Sequence, residues 1–200
     1  MRPYQAVLIT ITGLFIAAIA AFLLYGGKTG DRGVASVGGP FTLTDHEGRS
    51  RTDKDFRGRF TLVYFGYTYC PDVCPTALQV ITNAMEQLDE NLQSKITPIF
   101  ITVDPERDTV NHLKSYVENF HPRLVGLTGS TKQIAHVARI YRVYYSKSKS
   151  SIENLNDYLM DHSSIVFLMS PHGDYVTHFT HSTPMKKMVD VLRRNVEANK

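Results

Sequence analysis

The sequence predicts an α/β fold, a central mixed β-sheet flanked by helices, preceded by one N-terminal transmembrane helix. Three observations predict it. Two apolar runs, Thr61–Gly66 and Ile96–Val103, have the composition of strands buried on both faces. Amphipathic helical patterns follow each of them, and a hairpin with one more helix closes the chain. Ahead of these stands an uncharged apolar stretch.

After a short tail, residues 1–5 with Arg2, the stretch AVLITITGLFIAAIAAFLLY carries no charge. About 20 residues rising about 1.5 Å each match the roughly 30 Å hydrocarbon core, so residues 6–26 read as a membrane anchor. A cleaved signal has a shorter apolar region of about 7–15 residues, and the Ala18-Ile19-Ala20 triplet lies inside the run, not after it. Arg2 and the terminal amine stand on one side, Lys28 and Arg32 on the other, a nearly balanced positive-inside count. A tail this short is easily left in the cytoplasm, which places the rest of the chain in a bacterial periplasm or an equivalent space. Residues 27–37, rich in glycine, read as a flexible linker.

Residues 38–197 are the expected globular domain. Phe41–Thr44 reads as a strand and Asp45–Gly48 as a turn. After the Thr61–Gly66 strand and the segment Tyr67–Pro75, Leu78, Ile81, Met85, Leu88 and Leu92 share one helical face. Beyond the second buried strand, Val110, Leu113, Tyr116, Val117 and Phe120 mark another helix. Thr131–Tyr141 gives a third, with Ile134, Val137, Ala138 and Tyr141 inward. The polar stretch Ser146–Asn156 reads as a mobile, solvated loop, of the kind that can also carry partner contacts. Ser164–Met169 and Tyr175–Phe179 form a hairpin around Pro171–Asp174. The last helix has Thr183 as N-cap, Pro184 first, and Met185, Met188, Val189 and Leu192 inward.

Composition narrows the function. The chain has 200 residues, 42% hydrophobic and 20% charged, enough for one domain with a core plus an appendage. A net charge of +3 with no block of like charges argues against nucleic acid. The cysteine count is more informative: there are 2, both in the segment Cys70-Pro-Asp-Val-Cys74. Cys70 follows a buried strand and Cys74 opens the next helix, so both sulfurs can converge where the helix dipole favours thiolate. They make a metal clamp or a redox pair. A structural disulfide closing so short a loop would contribute only about 2 kcal/mol, and a domain of this size needs no such staple.

Two thiolates rarely complete a coordination shell, and sulfur with imidazole points to copper first. The chain offers 8 histidines. His46 sits in a turn, His112 and His136 lie on polar helix faces, and His121 and His172 lie in loops, all read as solvated. His178 and His181 could pair on a metal, although they fall in a strand end and a loop. His162, in Asp161-His-Ser163 just before an apolar strand, is a candidate ligand whose strand can face the cysteine loop. Asp161 would then orient its ring, and Asp72 would tune the thiolates.

Tyr64–Pro75 (YFGYTYCPDVCP), Val103–Thr109 (VDPERDT) and Asp161–Ser163, in this order and spacing, closely resemble the SCO/SenC copper-chaperone family over residues 38–197. The resemblance implies a thioredoxin-like fold with copper, as Cu(I), Cu(II) or both, on Cys70, Cys74 and His162. Thioredoxins carry a proline opposite their cysteine pair, and His162 falls near that position. It implies cytochrome c oxidase subunit II as the partner, whose dinuclear copper site the protein loads or prepares. A thiol reductant and an upstream copper donor are implied as further partners. The location implied is the bacterial inner membrane with the domain in the periplasm, or the mitochondrial inner membrane facing the intermembrane space. The alternative is a thiol-disulfide oxidoreductase using Cys70 and Cys74 as a catalytic redox pair. A peroxidase would need an activating arginine that has no clear match, and a sensor would need a signalling domain. Asp104 and Arg107 read as pins for the loop after a strand, with Asp108 or Thr109 capping the next helix.

Overall fold

A computed structural model describes residues 12–15, 19–21, 37–148 and 158–199. The chain divides into two compact units, Met1–Ala35 and Ser36–Lys200. In the first, residues 12–15 and 19–21 are helical, and Leu14, Phe15 and Ile19 are exposed. Among the described residues no helix is long and apolar enough to cross a membrane. The rest of the expected anchor over 6–26, and the linker over 27–37 apart from Val37, lie outside the described residues.

The second unit runs β1 (Thr42–Asp45), β2 (Ser50–Thr52), a short 3-10 turn, β3 (Phe60–Gly66), α1 (Val73–Glu86), α2 (Glu90–Ser94), β4 (Ile96–Thr102), α3 (Val110–Val117) and β5 (Val125–Thr128). It continues with α4 (Thr131–Ile140), β6 (Tyr145–Lys147), β7 (Met160–His162), β8 (Ile165–Met169), β9 (Tyr175–Thr180) and α5 (Met185–Ala198). A 7-stranded sheet has the order β2-β1-β5-β4-β3-β8-β9, and β6 and β7 make a separate 2-stranded ribbon. The sheet is mixed: β3, β4 and β5 run parallel, while β8 pairs antiparallel with β3 and β1 antiparallel with β5. Every residue of β3 and β4 is buried, which accounts for their unbroken apolar runs.

This topology positions the site. β8 pairs with β3 through Tyr64↔Val166, Val63↔Phe167 and Leu62↔Leu168, so the entrance of β8 lies beside the exit of β3. The cysteine loop leaves β3 at that exit, and β7 with His162 ends just before β8 begins. Two segments far apart in sequence therefore meet at one corner.

Several expectations are corrected. The helix expected through Leu92 is two: α1 ends at Glu86, and the Asp89 side chain accepts the Leu92 N–H to start α2 afresh. β5 carries no strand pattern because Gly126 interrupts it. A Cβ there would lie 2.9 Å from both Leu113 and Val117, so the glycine lets α3 pack directly on the sheet. Ser146 and Lys147, expected in a loop, lie in β6, while residues 149–157 of that loop lie outside the described residues. Thr183 does not cap α5. Its hydroxyl accepts the Thr180 N–H, closing the turn before the helix, and Pro184 takes the cap position. Thr109 does cap α3, accepting the His112 N–H.

Candidate metal centre

Cys70 lies on the loop after β3, Cys74 in the first turn of α1, and His162 at the end of β7. Their ligand atoms all lie within 4.8 Å of one another, and they are the one such group of three or more His, Cys, Asp or Glu among the described residues. Cys74 Sγ is 3.3 Å from His162 Nε2. The Cys74 backbone N–H points back at Cys70 Sγ at 3.4 Å, as an unsatisfied amide of a first helical turn can. Both thiols are free; Cys74 is fully buried and Cys70 partly exposed.

Burial and hydrogen bonds split the two thiols. Cys70 is held far below the ordinary thiol range, first because the Cys74 thiol donates to it. Burial opposes this, and His162 with the backbone amides of Asp72 and Cys74 adds to it. Cys74 is pushed far up by the same partnership and by burial. The pair therefore keeps one proton on the inner sulfur and a thiolate on the outer one. The helix-end argument that favoured thiolate at both positions holds for Cys70 alone.

The imidazole is fixed from several sides. His162 Nδ1 sits 3.3 Å from the Ser163 carbonyl, to which it donates, and Nε2 faces the sulfurs. Tyr67 and Tyr64 meet the ring edge-on at centroid distances of 5.9 and 6.2 Å. Burial raises the Tyr64 phenol, helped by the neighbouring Cys74, so it stays neutral. Asp161, expected to orient the ring, is an exposed residue of β7, and the ring's partner is a backbone carbonyl instead. Asp72 acts through its amide; its carboxylate accepts the Thr76 hydroxyl at 3.3 Å.

The remaining histidines go elsewhere. His121, expected in solvent, is buried, with Nδ1 accepting the Arg123 N–H at 3.1 Å. His46 Nδ1 accepts the Gly126 N–H. His178 takes the Tyr175 hydroxyl at 2.6 Å, and neither it nor His181 belongs to a group of three or more candidate ligands among the described residues. His112 is exposed but stacks on Tyr69 at 4.9 Å, beside Cys70. A cavity of about 680 Å³ opens beside the centre, lined by Cys70 and His162 and floored by Val73, Ala77, Met160 and Met188. Met188 lies on the apolar stripe that the sequence shows for α5, while nothing in the sequence marks Val73, Ala77 and Met160 as that floor or Tyr67 and Tyr64 as the walls around the ring.

Two sulfurs and one imidazole nitrogen, reached from one side, are donors for a soft or borderline metal and leave a coordination position open. A sequence profile described as SCO1/SenC matches residues 29–197. The chain is 46% identical over 166 residues to the mitochondrial protein SCO2 homolog of Bos taurus, covering 82% of this chain and 62% of that one. It thus spans less than two thirds of that relative's length. The structure of Arabidopsis thaliana ScoI with copper bound superposes with a TM-score of 0.75 at 42% identity, covering 82% of this chain and 99% of that one. Bradyrhizobium japonicum ScoI with copper bound gives a TM-score of 0.73 at 41% identity, covering 80% and 99%.

Proposed function

The chain belongs to the SCO1/SenC family, and from that premise we propose that it is a membrane-anchored copper carrier. It delivers copper to, or prepares, the dinuclear copper site of cytochrome c oxidase subunit II. The observation that carries this reading is the convergence of Cys70, Cys74 and His162 within 4.8 Å, with Cys70 and His162 lining an open cavity. The same donors also serve zinc; the copper-bound relatives favour copper as the cargo.

Exposure gives transfer an order. Cys70 and His162 are partly exposed and Cys74 is buried, so incoming thiolates of a partner meet Cys70 and His162 first and displace Cys74 last. An upstream copper donor would load the site by the reverse path. The apolar run over 6–26 tethers the domain to the membrane that holds the oxidase, in the bacterial periplasm or the mitochondrial intermembrane space, and a tether raises the effective concentration of the partner. Because only reduced cysteines bind metal, a Cys70–Cys74 disulfide empties the site and a thiol reductant is required.

A second reading is favoured by the split thiols. Cys70, partly exposed and held as thiolate, is placed to attack a client disulfide and form a mixed disulfide. Cys74 would then give up its proton and attack Cys70, releasing the client as a dithiol and leaving a Cys70–Cys74 disulfide.

Anaerobic copper(I) binding by the reduced chain, measured by chelator competition for wild type and His162→Ala, tests the carrier. One tight copper per chain, weakened about 10-fold or more without the imidazole (at least about 1.4 kcal/mol), supports it. Equal binding by the two proteins removes His162 from the ligand set and leaves the redox reading.

A further inference from the structure

Three segments meet around one guanidinium. Arg107, on the loop between β4 and α3, lies with its Cζ 3.7 Å from the ring centroid of Tyr158, 4.7 Å from Tyr69 and 5.8 Å from Tyr67. Tyr67 and Tyr69 belong to the cysteine loop, and Tyr158 leads into β7 and His162. Asp104, which is 2% exposed, completes the cluster: Arg107 Nε donates to one carboxylate oxygen at 2.5 Å and the Tyr158 hydroxyl to the other at 2.7 Å. A planar cation over aromatic faces, paired with a buried carboxylate, is the arrangement in which arginine holds separate segments together.

A loop pin would bind Arg107 only to its own segment, as the Asp104 pair does. The rings reach the two segments that carry the ligands. The Lys147–Glu106 pair at 2.8 Å also ties β6 to this loop, but both partners are more than half exposed, so it holds weakly. Arg107, 15% exposed and paired with the buried Asp104, is the stronger strap.

We propose that Arg107 is a positioning residue for the metal centre, coupling the cysteine loop to the His162 strand so that the imidazole stays within reach of both sulfurs. The proposal rests on Cys70, Cys74 and His162 being the ligands. Removing Arg107 releases β7 from the cysteine loop, and His162 then contributes less to binding.

The test is a double-mutant cycle on the full chain in detergent, reduced and anaerobic, with copper(I) affinity read by chelator competition for wild type, Arg107→Gln, His162→Ala and the double variant. Arg107→Gln is expected to weaken binding about 10-fold, and His162→Ala to cost at least about 3-fold less in that background than in wild type, since groups acting through one another are not additive. Arg107→Lys keeps the charge beside Asp104 but loses the flat guanidinium. If Arg107→Gln does not fold, the same cycle on Arg107→Lys decides. An unchanged affinity, or the same His162→Ala factor in both backgrounds, overturns the proposal, because a merely structural arginine would not couple to the imidazole. A His162→Ala factor of about one in the wild-type background is a different result: it fails the ligand set, and the proposal with it.

Discussion

Gly66 leaves room for the Cys74 sulfur. A Cβ built at position 66 would lie 2.8 Å from Cys74 Sγ, 2.9 Å from Phe100 and 3.2 Å from Tyr64. The last residue of β3 thus has to lack a side chain for the buried Cys74 thiol to pack behind the loop. Gly66→Ala is expected to destabilise the fold by about 1–3 kcal/mol, the usual cost of overpacking. It should also weaken copper binding, because the displaced atom is one of the three proposed ligands. Denaturant unfolding and chelator competition on one sample measure both. Loss of stability with copper affinity intact would mean that Phe100 and Tyr64 absorb the methyl group.

The split between the two thiols predicts selective chemistry. Cys70 is partly exposed and held as thiolate well below the ordinary thiol range, while Cys74 is buried and held protonated. Iodoacetamide should therefore modify Cys70 first. An ordinary thiol loses reactivity about 10-fold per pH unit below about 8.5, and Cys70 should not fall off in this way. Peptide mapping after timed alkylation from pH 5 to pH 8 gives the profile. Equal labelling of both cysteines would show that the partnership is not maintained in solution.

How far these features were legible depends on whether they are local. Cys70 and Cys74 could be placed at a strand-helix corner because the apolar run before them and the stripe after them are sequence patterns. His162 stands out only as a candidate, from its place before an apolar strand; the family resemblance strengthens that choice, and the β3–β8 register supplies the physical reason. The burial of His121 and the strand around Gly126 were missed because each depends on a packing partner remote in sequence, Thr82 for the first and Leu113 with Val117 for the second. The sequence reads Arg107 as a loop pin, which its bond to Asp104 bears out. Its contacts with Tyr67, Tyr69 and Tyr158 join segments that no local pattern connects.

Asp108 fastens the cysteine loop from below. Its buried carboxylate accepts the Thr68 N–H at 3.0 Å and the hydroxyls of Thr68 and Thr102 at 2.5 Å each. Burial raises this carboxyl despite those donors. Asp108→Ala leaves the partly buried amide and hydroxyl of Thr68 and the buried hydroxyl of Thr102 without their acceptor, and each orphaned group costs about 1–3 kcal/mol where water does not reach it. The variant is expected to unfold at clearly lower denaturant. In whatever fraction folds, faster amide exchange should appear at Thr68 and the residues leading to Cys70. Exchange that quickens evenly over the whole domain would show global destabilisation and no special hold on the loop.

Asp45, on β1, sets an acid limit to stability. Its carboxylate is fully buried, and burial alone would raise its pKa; the Arg49 amide, the Arg51 and Arg49 side chains and the Glu47 amide outweigh that and lower it from 3.8 to about 2. The two guanidinium contacts are 2.9 and 2.8 Å long. A carboxyl lowered on folding stabilises the native state above its unfolded value, and the contribution is lost as pH falls through the folded value. The shift corresponds to about 2 kcal/mol. Asp45→Asn should therefore be less stable than wild type by about that much at pH 7. The gap should narrow below about pH 4 and close toward about pH 2 as the wild-type carboxyl protonates. Urea midpoints for both proteins across this range measure the gap. A constant difference at every pH would mean that the bonds to Arg49 and Arg51 stabilise the β1–β2 turn by geometry, with the charge contributing nothing.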